Sequence, residues 1–389
     1  MEPSQNPIRA VVGSGLEAAA AHNRRAVIDA IRVNGPLSRA ALSRATRLSK
    51  QTLSNIVEHL EAAGLLVACD PVAEGRGKPS IPYDLAPMGA LSLGVQIDRS
   101  VARAVVMDLR GSVVARHDAP LPGRDPEAGL AVLERLIAEA RAALCAEDAG
   151  RIVGLGVAMP GPFGPDAGAV RDDYSMAGWR DVNLAERLAK ATGLEVVLQN
   201  DAGAAAISEK LTGKAHGLRN AVCLYLGYGL GAGLIVNGEL YGGHHCDAGE
   251  IGMIPLPGGA LLEHEVALGA LCDRFGIAQD RPDMWRGIET LVHSPDPEVQ
   301  AWLTRASGHI AWAARMLELT LDPEAVILCG TAPRALLERL ASGRIEVGHA
   351  DPWLVAIGAA AEPIARNFDP RHAALLKACP TRAGKYGTS

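Results

Sequence analysis

Two groups of residues in the middle of this 389-residue chain have the types and spacing to do chemistry. The first is Asn200-Asp201, which ends the apolar run Glu195-Val196-Val197-Leu198-Gln199. The second is the loop Gly227-Tyr228-Gly229-Leu230-Gly231-Ala232-Gly233, with the carboxylate Glu250 downstream of it. In α/β proteins the C-terminal ends of strands open on the ligand crevice, so a carboxylate and a glycine loop at such ends suit a polar ligand with an anion beside it. A carboxylate within reach of a hydroxyl can accept its proton as a general base or simply orient it. The Asn-Asp pair also fits a cap on the Ala-rich helix expected over Ala202 to Lys210. Residue types leave these readings open.

Positioning these groups requires strands that carry them to one edge. The order read from the sequence is strand, polar pair, helix, strand and glycine loop. Upstream, Leu91 to Asp108 reads as a hairpin of two apolar strands. Ile152 to Met159 reads as a buried strand running into Pro160-Gly161-Pro162, and Leu184 to Thr192 as a helix ended by Gly193. Leu130 to Cys145 has helical spacing, and Trp179 in the loop between reads as packing rather than a stacking surface. Further on, Pro297 to Leu319 is expected as a long helix with the apolar stripe Trp302, Leu303, Ala306, Ile310, Ala313, Met316 and Leu317. Ala325 to Thr331 is expected as a strand and Leu354 to Ala365 as a closing helix.

The N-terminal part follows a different plan. After an arm at 1–21, Val27, Ile28 and Ile31 lie on one helical stripe, Ser38 caps a short helix, and Ser49 caps a longer one from Lys50 to Ala63. Leu65 to Ala68 and Ser80 to Leu85 can form two strands around the basic loop Glu74 to Pro79. Residues 22–86 therefore read as a winged helix-turn-helix. Between His22 and Ser80 there are nine Lys or Arg against five Asp or Glu, while the whole chain carries −6. Positive charge gathered on one small domain is the footprint expected of a double-stranded DNA operator as partner. Ser49, Lys50, Gln51, Thr52, Ser54 and Asn55 at the start of the third helix suit base edges and phosphates, with Arg76 and Lys78 reaching the backbone from the wing. Two-fold operators imply a homodimer, or a tetramer built from such dimers.

Taken together, the Asn200-Asp201 pair, the glycine loop, the Glu250-Ile251-Gly252 turn and the Gly75-Arg76-Gly77-Lys78-Pro79-Ser80 wing resemble the ROK family. That family holds sugar kinases and repressors of sugar operons. The resemblance implies an α/β fold in which the winged helix-turn-helix precedes a two-lobed actin-like, hexokinase-like ROK domain at 90–375, with a tail at 376–389. It further implies that Asn200, Asp201, Glu250 and Glu263 hold the hydroxyls of a monosaccharide or derivative acting as effector. In the kinases the turn of the first hairpin reads Asp-Ile-Gly-Gly-Thr, and its glycines let backbone amides approach ATP phosphates. Here Gln96 replaces that Asp, and Asp98-Arg99 replaces the two glycines. Like charges about 4 Å apart interact by roughly 4 kcal/mol at an effective dielectric near 20, so this turn argues against phosphoryl transfer. No catalytic residue and no cofactor is assigned. The family histidine after the Glu-x-Gly turn is Met253, and the cysteines of its zinc motif are missing, so no metal is expected. A repressor answering to a sugar is the leading reading. A sugar kinase with a DNA-binding extension, or a regulator with a vestigial sugar site, are the alternatives.

Composition agrees with a globular α/β chain: 48% hydrophobic residues and 43 glycines. The seven cysteines, at 69, 145, 223, 246, 272, 329 and 379, are scattered and read as reduced thiols. With no apolar run long enough to span a bilayer and no signal-peptide pattern, the expected location is cytoplasmic.

Overall fold

The stripe of Val27, Ile28 and Ile31 is buried, as amphipathic spacing requires of a helix that packs on neighbours. It lies on α1 (Leu16–Asn34), which is followed by β1 (Leu37–Ser38), α2 (Arg39–Thr46), α3 (Lys50–Ala62), β2 (Leu66–Ala68) and β3 (Pro82–Leu85). The helix begins at Leu16, so the last six residues of the expected arm, 16–21, are helical. Alanine at 18–21 explains this, because it is the strongest helix former. The computed structural model describes residues 16–72, 79–122, 125–161, 176–179, 182–278 and 284–370. β3 pairs antiparallel with both β1 and β2, and Val72 bridges Ser80 beyond them, which builds the wing. Its tip at 73–78, with Arg76 and Lys78, lies outside the described residues, as do the tail at 376–389 and the arm residues 1–15.

Two compact units emerge, one ending at Gly89 and joined by the chain from Ala365, the other Ala90–Ile364. The first unit takes in residues that the sequence places with the sugar domain: Arg25 Nε donates to the Asn367 carbonyl at 2.9 Å.

The second unit repeats one topology twice. Its first lobe holds β4 (Leu91–Ile97), β5 (Val101–Asp108), β6 (Val113–Pro120), α4 (Pro126–Ala142), α5 (Ala146–Ala149), β7 (Ile152–Met159), α6 (Leu184–Thr192) and β8 (Val196–Asn200). The sheet order is β6-β5-β4-β7-β8, an antiparallel meander extended by two parallel strands. Helix α7 (Asp201–Thr212) leads to the second lobe. This comprises β9 (Ala221–Leu226), β10 (Leu230–Val236), β11 (Glu239–Leu240), α8 (Leu262–Val266), α9 (Leu268–Phe275), α10 (Met284–Val292), α11 (Pro297–Leu321), β12 (Ala325–Gly330), α12 (Arg334–Leu340) and β13 (Ile345–Ala350). Its sheet order, β11-β10-β9-β12-β13, repeats the first pattern of meander plus parallel pair. The closing helix is α13 (Leu354–Phe368).

Small residues explain how the helices fit. A Cβ on Gly156 of β7 would stand 1.8 Å from the Ala359 carbonyl, and one on Gly358 of α13 would stand 1.7 Å from the Ala204 carbonyl of α7. Sheet, α13 and α7 thus touch backbone to backbone, and their alanines are buried for the same reason. Trp179 is buried against Gly129 of α4, which makes it a packing residue. On α11 the stripe is buried from Trp302 to Ala313, but Met316 is exposed and shares a face with exposed Trp312 and Leu319. Cys246 is disulfide-bonded, against the expectation of reduced thiols throughout; scattered cysteines give no pairing from spacing alone. Among the described residues no helix is long and apolar enough to cross a membrane.

Candidate functional site

Strand β8 delivers Asn200 and α7 begins with Asp201, so a single strand-to-helix junction presents both side chains. Asn200 caps the helix, as one reading of the pair expects, and also reaches across to the second lobe. Its Oδ1 accepts from the amides of Ala202 (2.7 Å) and Gly203 (3.4 Å), capping α7, while its Nδ2 donates to Glu250 Oε1 at 2.8 Å. The carboxamide therefore links the first lobe to the Glu250 turn of the second. Gly161, just past β7, makes room for this contact, since a Cβ there would lie 2.3 Å from Glu250 Oε1 and 2.7 Å from Asn200 Nδ2.

The carboxylates crowd one another. Burial raises the Asp201 carboxyl to about 7, and the negative charge of Asp98 adds to the rise. Glu250 is pushed up to about 8 by burial first, then by the charges of Asp201 and Asp247. Asp201 Oδ1 accepts from the Ala202 amide at 2.7 Å, which works in the other direction. Glu263, on α8, comes within 2.9 Å of where a Gly229 Cβ would sit and 3.0 Å of a Gly252 Cβ. Asn200, Asp201 and Glu250 thus lie together, and Glu263 borders the glycine loop and the Glu250-Ile251-Gly252 turn next to them. Met253 ends the adjoining 3-10 turn Ile251–Met253 and is partly buried. His244 and His245 are exposed and stack edge to face.

Near Asp201, on the same sheet, stands the turn between β4 and β5. Gln96 is buried and accepts from Arg103 at 3.3 Å. Asp98 Oδ1 accepts from the Arg99 amide at 2.8 Å, and the Arg99 guanidinium lies 4.0 Å over the Tyr228 ring of the glycine loop. A side-chain stack therefore stands where an amide-lined phosphate turn needs glycines. Neither Arg99 nor Tyr228 emerged as a contact from the sequence, because their partnership joins residues 129 positions apart (228 minus 99). Gly161 was visible only as part of a Pro-Gly turn.

In the N-terminal unit the start of α3 is presented to solvent. Lys50, Gln51, Thr52 and Asn55 are exposed, and Gln51 Nε2 donates to Asn55 Oδ1 at 3.0 Å, which aligns the two carboxamides. Ser49 caps the helix, accepting from the Thr52 amide at 3.2 Å and pairing with its hydroxyl at 2.8 Å. Ser54 is partly buried and turns to Glu58 at 3.1 Å. Arg47, the exposed left-handed residue (φ 58) at the end of α2, and exposed Arg44 flank the helix. The sequence reading missed both as phosphate-contact candidates, although they were counted in the local charge.

Residues 92–335 match the ROK family. The chain belongs to the ROK family. Residues 23–77 match the MarR family, whose position coincides with the winged helix-turn-helix. The xylose repressor of Bacillus subtilis is 26% identical to this ROK protein over 230 residues, 59% of each chain. The glucokinase of Streptomyces coelicolor is 33% identical over 172 residues, covering 44% of this chain and 52% of the enzyme. Among solved structures, a ROK family transcriptional regulator described as a homolog of the Escherichia coli Mlc protein matches in fold with a TM-score of 0.71. It is 21% identical over 92% of this chain and 98% of that one.

Proposed function

We propose that this ROK protein is a transcriptional repressor of carbohydrate-metabolism genes, binding operator DNA through α3 and a monosaccharide or derivative through Asn200, Asp201, Glu250 and Glu263. The observation that carries this reading is the pairing, on one chain, of an exposed Lys50-Gln51-Asn55 helix face with a sugar-type cleft whose phosphate turn is filled by Arg99 on Tyr228. Carboxylates accept hydroxyl protons, and in a cleft with little water each satisfied hydroxyl adds discrimination. Sugar can change DNA affinity only through its differential binding to two forms of the protein, typically about 1–3 kcal/mol. Operator half-sites about one or two helical turns apart follow from a homodimer. The test is footprinting on the protein's own promoter with and without a sugar panel. A protected inverted repeat that a sugar modulates in wild type, but not in Asp201→Ala, is expected. Normal modulation in that variant moves the effector site elsewhere.

A second reading, a sugar kinase with a DNA-binding extension, is favoured by Asp201, since a carboxyl near 7 is matched to general-base work at neutral pH. A coupled assay with ATP, Mg²⁺ and hexoses separates the readings. Turnover that vanishes in Asp201→Asn would falsify the repressor-only account.

A further inference from the structure

We propose that Arg99 and Tyr228 are a positioning pair that fastens the first lobe to the second at the mouth of the cleft. The duplicated topology puts two hairpin turns in equivalent places: Asp98 to Val101 closes β4–β5, and Gly227 to Gly229 closes β9–β10. The guanidinium lies 4.0 Å over the ring centroid, within the range where a cation is drawn to an aromatic face. Its planar fork makes arginine the better partner for such stacking. Both residues are half-buried, which weakens competition from water.

Each side of the stack is firmly held. In the first lobe the Asp98 amide donates to the Val101 carbonyl at 3.0 Å and Asp98 Oδ1 accepts from the Arg99 amide. In the second, the Gly227 amide donates to Gly229 at 3.1 Å, while Leu268 and Gly269 at the start of α9 donate to the carbonyls of Gly227 (3.2 Å) and Tyr228 (3.0 Å). Closing these turns together therefore joins α9 and the glycine loop to the first hairpin. Asp98, next to Arg99, lies close enough to Asp201 of the same lobe for their charges to interact, so the turn that carries the stack also borders the candidate site. Loss of the stack releases that turn from the glycine loop.

The consequence for effector affinity rests on the sugar-site reading; the stack itself is measurable without ligand. Hydrogen exchange of the full-length protein is followed in peptides covering 96–102 and 225–233, in wild type, Arg99→Ala, Tyr228→Ala, the double variant, Arg99→Lys and Tyr228→Phe. Each alanine variant is expected to speed exchange roughly two- to thirty-fold in both peptides, including the turn that carries no substitution. The double variant should be no faster than the faster single, because both remove one interaction. Tyr228→Phe keeps the ring face but removes the hydroxyl that also pairs with the Arg99 guanidinium, so it should, like Arg99→Lys, fall between wild type and the alanine variants. Exchange in one turn that ignores substitution in the other, or additive effects in the double variant, overturns the pair. If no sugar binds while the exchange result holds, the effector reading falls and the pair stands.

Discussion

At the residue scale, the cleft keeps carboxylates at a cost in charge. Asp201 and Glu250 both have folded pKa values raised above their unfolded ones, to about 7 and about 8. The stability linked to them is therefore fully present below the unfolded pKa, near 4, and is lost as pH rises through the folded values. The melting temperature is expected to fall from about pH 5 to about pH 8, and Asp201→Asn, which cannot ionise, should flatten that slope; an unchanged slope in the variant removes Asp201 as the cause. Gly161→Ala would drive a methyl into the Asn200–Glu250 hydrogen bond. It should abolish the effector response in footprinting while leaving operator protection, and a normal response would mean the contact is dispensable. Asn200 and Asp201 were legible because a polar pair after an apolar strand is a local signal. The link from Asn200 to Glu250 spans 50 residues and depends on how the two lobes meet, which local pattern does not encode.

At the element scale, α3 is defined by its cap and its exposed face. Ser49→Ala removes the acceptor for the Thr52 amide and should cost about 1 kcal/mol of the N-terminal unit's stability in urea melts. Gln51 and Asn55 hold each other, so Gln51→Ala frees Asn55 as well as deleting one carboxamide. Binding-site selection should show relaxed preference at adjacent base pairs for Gln51→Ala, each worth about 1–3 kcal/mol. Arg47→Ala should instead weaken all sequences alike and reduce the salt slope by about one. Equal losses on operator and random DNA for Gln51→Ala would assign it to the backbone. Helix starts were readable from Ser38 and Ser49, whose side chains do cap α2 and α3. The exposure of Met316 was not, because helical spacing gives a stripe but not where the neighbouring elements stop covering it.

For the whole ROK unit, the two-lobed plan came from the family resemblance, while the repeat of one strand order in both lobes is a pattern of hydrogen bonding that local residue patterns do not encode. What holds the halves is an alanine and glycine spine. Gly156→Ala should destabilise the unit by roughly 3 kcal/mol in denaturant titration, since its methyl meets a backbone carbonyl that no rotamer change can move; a loss under about 1 kcal/mol would mean α13 shifts freely.

That spine also limits how the protein can change over generations. Where α7, α13 and β7 meet through carbonyls rather than side chains, a mutation has no larger residue to trade against and no cavity to fill. Drift there is confined to glycine where a Cβ would strike a carbonyl and to similarly small residues at the alanines facing it, whereas the loops and outer helices are free to diverge. Distant relatives whose cleft residues have been replaced should still carry small residues at 94, 156, 204 and 358, and those four positions offer a way to align them when the functional residues no longer can.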